Sequence, residues 1–151
     1  MRVAISFLLL VTVGLGLAPA AAARTAIGQY GRWGAFRDDR AGGCYVIAMP
    51  KRGEGFAAVA APPAVPRLTV RLSRAAQAGS VSALIDGTRY LLSGGGRDAA
   101  LAGRRMVVVL RGGERLRLSA REPGGRRFVD DYDLAGLPSA LDAATIACLP
   151  R

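Results

Sequence analysis

The segment Val81-Ser82-Ala83-Leu84-Ile85-Asp86-Gly87-Thr88-Arg89-Tyr90-Leu91-Leu92 places two β-rich runs on either side of an Asp-Gly pair. A two-residue loop that reverses a right-twisted ribbon needs positive φ at both central positions, and Asp-Gly meets that need with little strain. The segment therefore reads as a β-hairpin. On its first arm, Val81, Ala83 and Ile85 alternate with Ser80, Ser82 and Leu84, so one face is apolar.

The same period of two recurs on both sides. Upstream, Leu68, Val70 and Leu72 alternate with Arg67, Thr69, Arg71 and Ser73, a half-buried strand. Cys44-Tyr45-Val46-Ile47-Ala48-Met49 reads as a buried strand stopped by Pro50. Between them, residues 51–66 mix Gly53, Gly55, Pro62, Pro63 and Pro66 with alanines, the composition of a loop or loose linker. Arg24 to Gly31 is small and polar and reads as a mobile leader, so ordered structure is expected from Trp33. Trp33, Phe36 and Tyr45 are expected in the core beside the first cysteine.

Downstream, Ser93-Gly94-Gly95-Gly96 reads as a flexible turn; no Gly-Lys-Ser/Thr follows to make it a phosphate loop. Asp98 to Arg105 leans helical, and Met106 to Leu110 leans towards strand through its valines. Leu116, Leu118 and Ala120 alternate with Arg115, Arg117, Ser119 and Arg121. Pro123-Gly124-Gly125 turns the chain, and Arg127 to Leu134 returns as the second arm of another hairpin. Pro138 suits the first turn of a C-terminal helix of about ten residues carrying Ala140, Leu141, Ala144 and Ile146. The pattern predicts a mainly β domain: an antiparallel sandwich or small barrel, a C-terminal covering helix and one disulfide.

The chain has 151 residues, a length suited to one domain, with 21 Lys+Arg, 11 Asp+Glu, no His and a net charge of +10. Without histidine there is no Ser-His-Asp or Cys-His nucleophile system and no His-ligated metal. Two cysteines cannot by themselves form a four-cysteine metal site. Arg2, the apolar run from Val3 to Leu17 and Ala18-Pro19-Ala20-Ala21-Ala22-Ala23 have the three parts of a secretory signal. The run is shorter than the ~20 residues of a membrane span. The expected organisation is a signal peptide at 1–23 and a single domain at 24–151, with cleavage after Ala23 and a periplasmic or secreted location, outer-membrane association included. In an oxidising compartment Cys44 and Cys148 are the candidate disulfide, the alternative being two buried thiols.

Gly31-Arg32-Trp33-Gly34-Ala35-Phe36, the Cys44-Tyr45-Val46 strand ending at Pro50-Lys51, the Ile85-Asp86-Gly87 hairpin, and Asp131-Tyr132-Asp133-Leu134-Ala135-Gly136-Leu137 before the last cysteine form an ordered set. It resembles the invasion-associated locus B family of exported bacterial proteins, as a divergent member, over roughly residues 31–148. The resemblance implies a β-rich, disulfide-closed envelope protein with Cys44 and Cys148 as structural partners. It also implies a helix in the stretch matching Ala99 to Arg111, against the valine-based reading. The family is named for host-cell invasion, a role of some members, and supplies no catalytic residues to transfer.

Arginine accounts for all the basic residues except Lys51. Period-two spacing puts Arg67 and Arg71 on one strand face and Arg115, Arg117 and Arg121 on another. If the two strands were neighbours, the five would form one guanidinium-studded surface for an anionic envelope component. Another envelope protein is the other partner class; peripheral membrane contact fits, and nucleic acid does not. Oligomeric state is open. The reading favoured is a non-enzymatic, cofactor-free interaction protein. The alternatives are a binder or inhibitor of an anionic polymer, and a secreted hydrolase drawing on Asp130, Asp131, Asp133, Glu122 and Asp142. Such a hydrolase would need two or more of these carboxylates to converge in a pocket.

Overall fold

A computed structural model describes residues 24–150; the expected signal peptide lies outside them. The elements run β1 (Arg24–Tyr30), β2 (Trp33–Asp38), β3 (Gly43–Ala48), β4 (Phe56–Ala60), β5 (Arg67–Ala76), β6 (Ser82–Ile85), β7 (Thr88–Leu91), β8 (Ser93–Ala102), α1 (Arg104–Gly112), β9 (Arg115–Arg121), β10 (Arg127–Asp133) and α2 (Leu137–Ala147). They form two antiparallel sheets, a six-stranded one ordered β1-β2-β3-β4-β5-β8 and a four-stranded one ordered β10-β9-β6-β7. The mainly β class, the covering helix and the Cys44–Cys148 bridge all match the sequence reading.

Alternation decides which side of each strand is buried. Leu68, Val70 and Leu72 of β5 and Leu116, Leu118 and Ala120 of β9 are buried. The β6–β7 turn is the expected one, with Asp86 at φ 44° and Gly87 at φ 92°. Leu137, Ala140, Leu141 and Ala144 line the buried side of α2, a helical spacing, and this helix packs on β1, β2 and β3. Gly136 enters α2 at φ 87°, and a Cβ there would lie 2.2 Å from the Tyr30 carbonyl oxygen, so only glycine allows this close approach. Trp33 is fully buried, and its indole N–H donates to the Asp133 carbonyl at 2.8 Å. Phe36 and Tyr45 differ from expectation: they are half-buried and stack on each other with ring centroids 5.8 Å apart.

Four local readings are corrected. The leader is β1, an edge strand paired along β2 from Arg24↔Asp38 to Tyr30↔Trp33; small polar residues suffice where only one neighbour must be matched. The linker at 51–66 contains β4, inserted between β3 and β5 with Ala57 and Val59 fully buried. Alanine has low strand propensity, and two flanking ladders override it. Ser93-Gly96 and most of the helix-leaning segment after it, as far as Ala102, are β8, paired to β5, and only Arg104 and Arg105 of that segment are helical, opening α1. Met106 to Leu110 lies in α1, which spans Arg104–Gly112, so the valines do not form a strand. Met106 and Leu110 are buried while Val108 is 69% exposed; a strand would have put all three on one face, and a helix separates them.

The two sheets meet where β5 passes β10. Asp130 of β10 is 2% exposed and accepts hydrogen bonds from both the backbone N–H and the hydroxyl of Ser73 in β5. Beyond it the Gln77 N–H, just past β5, donates to the Arg121 carbonyl at 2.7 Å. The Tyr132 hydroxyl is buried and has no hydrogen-bond partner among the described residues. Burial, and then the charge of Asp130, push its ionisation above the usual value of 10.0.

Two predictions follow from this architecture. The bridge closes a separation of 104 residues, worth about 4.7 kcal/mol in the loop-entropy model. Cys148→Ala is expected to lose most of a small domain's margin of stability, read as a large drop in melting temperature, and the unfolded, unreduced protein should show no reactive thiol. For Tyr132, the folded pKa lies above the unfolded one, so its contribution is full below pH ~10 and is lost as pH rises beyond it. Tyr132→Phe is expected to flatten that alkaline decline and to melt at or above wild type at neutral pH. A loss beyond about 1 kcal/mol at neutral pH would mean the hydroxyl has a partner.

Candidate anion-binding face

Directly opposed residues in antiparallel strands point to the same side, so the register of the four-stranded sheet defines its outer face row by row. Arg121 stands opposite Arg127. The next row runs Leu91–Ser82–Ser119–Val129. After it comes Arg89–Leu84–Arg117–Asp131, and then Arg115 opposite Asp133. Arg115, Arg117 and Arg121 therefore share a face, as their spacing implied. Arg67 and Arg71 do not join them: both are on β5, in the other sheet, and Arg71 is paired with Asp98 at 3.4 Å. In their place the structure adds Arg89 and Arg127. Arg89 was legible in advance, because a two-residue Asp-Gly turn sets it opposite Leu84. Arg127 was not, because its position depends on the register across the Glu122–Arg126 turn.

Charge is unevenly spread along this face. Towards the β6–β7 turn, a cleft of ≈ 530 Å³ is bordered by Lys51, Arg115 and Arg117 together with Asp86, Glu114 and Asp133, a balanced set. Arg117 Nε lies 3.0 Å from the Asp131 carboxylate. Asp86 accepts from the backbone N–H groups of Glu114 and Arg115 at 3.0–3.3 Å, which fixes the hairpin turn to the start of β9.

At the other end the balance is lost. A cleft of ≈ 350 Å³ is lined by Ser80, Ser82, Ser119, Arg89, Arg121 and Arg127, with no carboxylate among its lining residues. Among the described residues none of these three arginines has an ion-pair partner. The Ser80 hydroxyl is engaged, accepting from the Arg121 N–H at 3.1 Å and donating to the Gln77 carbonyl at 2.7 Å. The hydroxyls of Ser82 and Ser119, neighbours across β6 and β9, make no hydrogen bond to the described protein. Unpaired guanidiniums beside free hydroxyl donors are groups whose chemistry matches a phosphate or carboxylate.

The carboxylates named for hydrolysis are each held elsewhere. Asp130 ties β10 to Ser73, and Asp131 pairs with Arg117. Asp133 accepts from the Ala135 N–H, and Asp142 pairs with Arg111. Glu122 lies between Arg126 and Arg74, whose hydrogen bonds hold it below the usual carboxylate range. Asp130 points inwards and Asp131 outwards from the same strand, as alternation requires. Among the described residues no group of three or more His, Cys, Asp or Glu could hold a metal ion.

Comparison with known proteins gives a fold relationship. The chain is similar to the crystal structure of invasion associated protein B from Bartonella henselae, with a TM-score of 0.59 and 17% identity over 82% of this chain and 96% of that one. No family model matches the sequence, and no curated protein matches it.

The contacts of Asp86 generate a prediction. Asp86→Ala puts a Cβ-bearing residue without a compensating polar group at positive φ and leaves two backbone donors unaccepted. A loss of about 1–2 kcal/mol in urea unfolding is expected. Asp86→Asn, which tolerates the left-handed region and keeps an acceptor, is expected to recover about half of it.

Proposed function

We propose that this chain is an exported envelope protein that acts by binding, through a preformed basic surface, rather than by catalysis. The observation that carries the reading is the Cys44–Cys148 bridge: a structural disulfide spanning most of the domain belongs to an oxidising compartment. The signal-like sequence at 1–23 supports export, although it lies outside the described residues. The fold likeness to invasion associated protein B from Bartonella henselae is consistent with an envelope setting. The basic surface supports a binding role, since its free groups are donors and its carboxylates are engaged with arginines or backbone N–H groups.

The test is to express the full chain in a Gram-negative host and fractionate the cells. The expected result is protein in the periplasmic or outer-membrane fraction, with an intact mass that begins at Arg24 and no reactive thiol. Full-length chain retained in the cytosol with two reactive thiols would overturn the proposal.

A further inference from the structure

The outer face of the four-stranded sheet combines two features that a site for a small soluble anion does not need together. One is the group of unpaired arginines around the Ser82 and Ser119 hydroxyls. The other is a pair of exposed apolar side chains in the same row. Leu91 is 71% exposed and Val129 49% exposed, and they end the row on the two edge strands, β7 and β10. With strands ~4.8 Å apart, they stand about 14 Å from each other with the hydroxyls between them. The arginine rows lie two residues to either side, about 7 Å away. Of the acidic members of the face, Asp131 ends the Arg89 row on β10, where it is paired with Arg117, and Asp133 lies one row further on, opposite Arg115.

We infer that this face docks on an anionic lipid surface. Arg121 and Arg127 on one side and Arg89 on the other grip the headgroup phosphates over Ser82 and Ser119, while Leu91 and Val129 enter the headgroup–acyl boundary. Each part has a physical reason. Guanidinium forks match phosphate oxygens in pairs. Basic and apolar side chains on one surface suit an interface that is charged on the outside and oily beneath. Among the described residues Arg89, Arg121 and Arg127 are in no ion pair, so their charge is available to the membrane, while the Asp131 carboxylate in the Arg89 row is engaged by Arg117. The inference rests on the envelope reading only for where such a lipid would be met; the site itself is argued from the sheet.

The test is co-sedimentation of the purified, disulfide-intact protein with vesicles of phosphatidylcholine alone and of phosphatidylcholine mixed equally with phosphatidylglycerol. Binding is expected to the mixed vesicles alone and to weaken as salt rises. At about fivefold per arginine near an anionic surface, Arg89→Gln/Arg121→Gln/Arg127→Gln is expected to weaken binding about a hundredfold. A charge-matched control off this face, Arg32→Gln/Arg67→Gln/Arg104→Gln, is expected to cost less than a tenth of that. Leu91→Ser/Val129→Ser is expected to weaken binding about tenfold with the melting temperature unchanged, as both side chains are exposed. Equal losses from the two arginine triples would overturn the proposal in favour of undirected charge. Full competition by inorganic phosphate with no effect of the Leu91 and Val129 changes would overturn it in favour of a soluble anion. Because the assay uses purified protein, failed lipid binding leaves the export result standing, and failed export leaves the lipid result readable.

Discussion

The carboxylate of Asp130 is taken out of water between β10 and β5 and held by the backbone N–H and the hydroxyl of Ser73. A buried charge without partners is among the costliest defects a fold can carry, so the two strands have little freedom to slide: a shift of one residue would turn Asp130 outwards and bring Asp131 or Val129 in. The contact sets how the six-stranded and four-stranded sheets meet. It also sets the facing of β10, and through the β10–β9–β6 registers the side on which every arginine of the small sheet lies. The hydroxyl of Tyr132, unpartnered among the described residues, is a second polar group in the same buried region.

The opposite end of the large sheet is secured covalently. Much of the core there is small, with Ala35, Ala48, Ala140 and Ala144 buried on α2 and the strands beneath it, and aromatics are only 6% of the chain. Small side chains bring the helix close to the sheet but bury little area each. The Cys44–Cys148 bridge compensates by anchoring the end of α2 to β3, and an Arg37 guanidinium N–H donates to the Ala147 carbonyl in the last turn. Gly136 at the start of the helix and the disulfide at its end therefore determine the helix's position from both sides.

The candidate face illustrates how charge count differs from charge availability. Arg71, Arg74, Arg97, Arg111, Arg117 and Arg126 all lie in ion pairs, so these cations are matched locally. Exposed pairs of this kind add little stability, but they remove cations from the pool that a partner can use. What remains unmatched on the small sheet is concentrated around two unbonded serine hydroxyls, and this local imbalance, rather than the net charge of +10, marks the face.

Sequence alone determined the features governed by local chemistry. The Asp86-Gly87 hairpin followed from the φ demands of a two-residue loop, the apolar faces of β5 and β9 from the period of two, and the start of α2 from Pro138. The pairing of Cys44 with Cys148 followed from there being only two cysteines in a chain read as exported. The same logic correctly put Arg115, Arg117 and Arg121 on one side of a strand. It could not say which strands are neighbours, because alternation fixes the side of a strand and leaves its partner open; Arg67 and Arg71 consequently fell in the other sheet. Nor could it find β1, β4 and β8, whose glycines and alanines have little strand preference of their own and are held extended by pairing to neighbouring strands, β4 on both sides and β1 and β8 on one. Only the tertiary structure decided those elements, the helical state of Met106 to Leu110, and the meeting of Arg89, Arg121 and Arg127 around Ser82 and Ser119, since each depends on pairing between residues far apart in the chain.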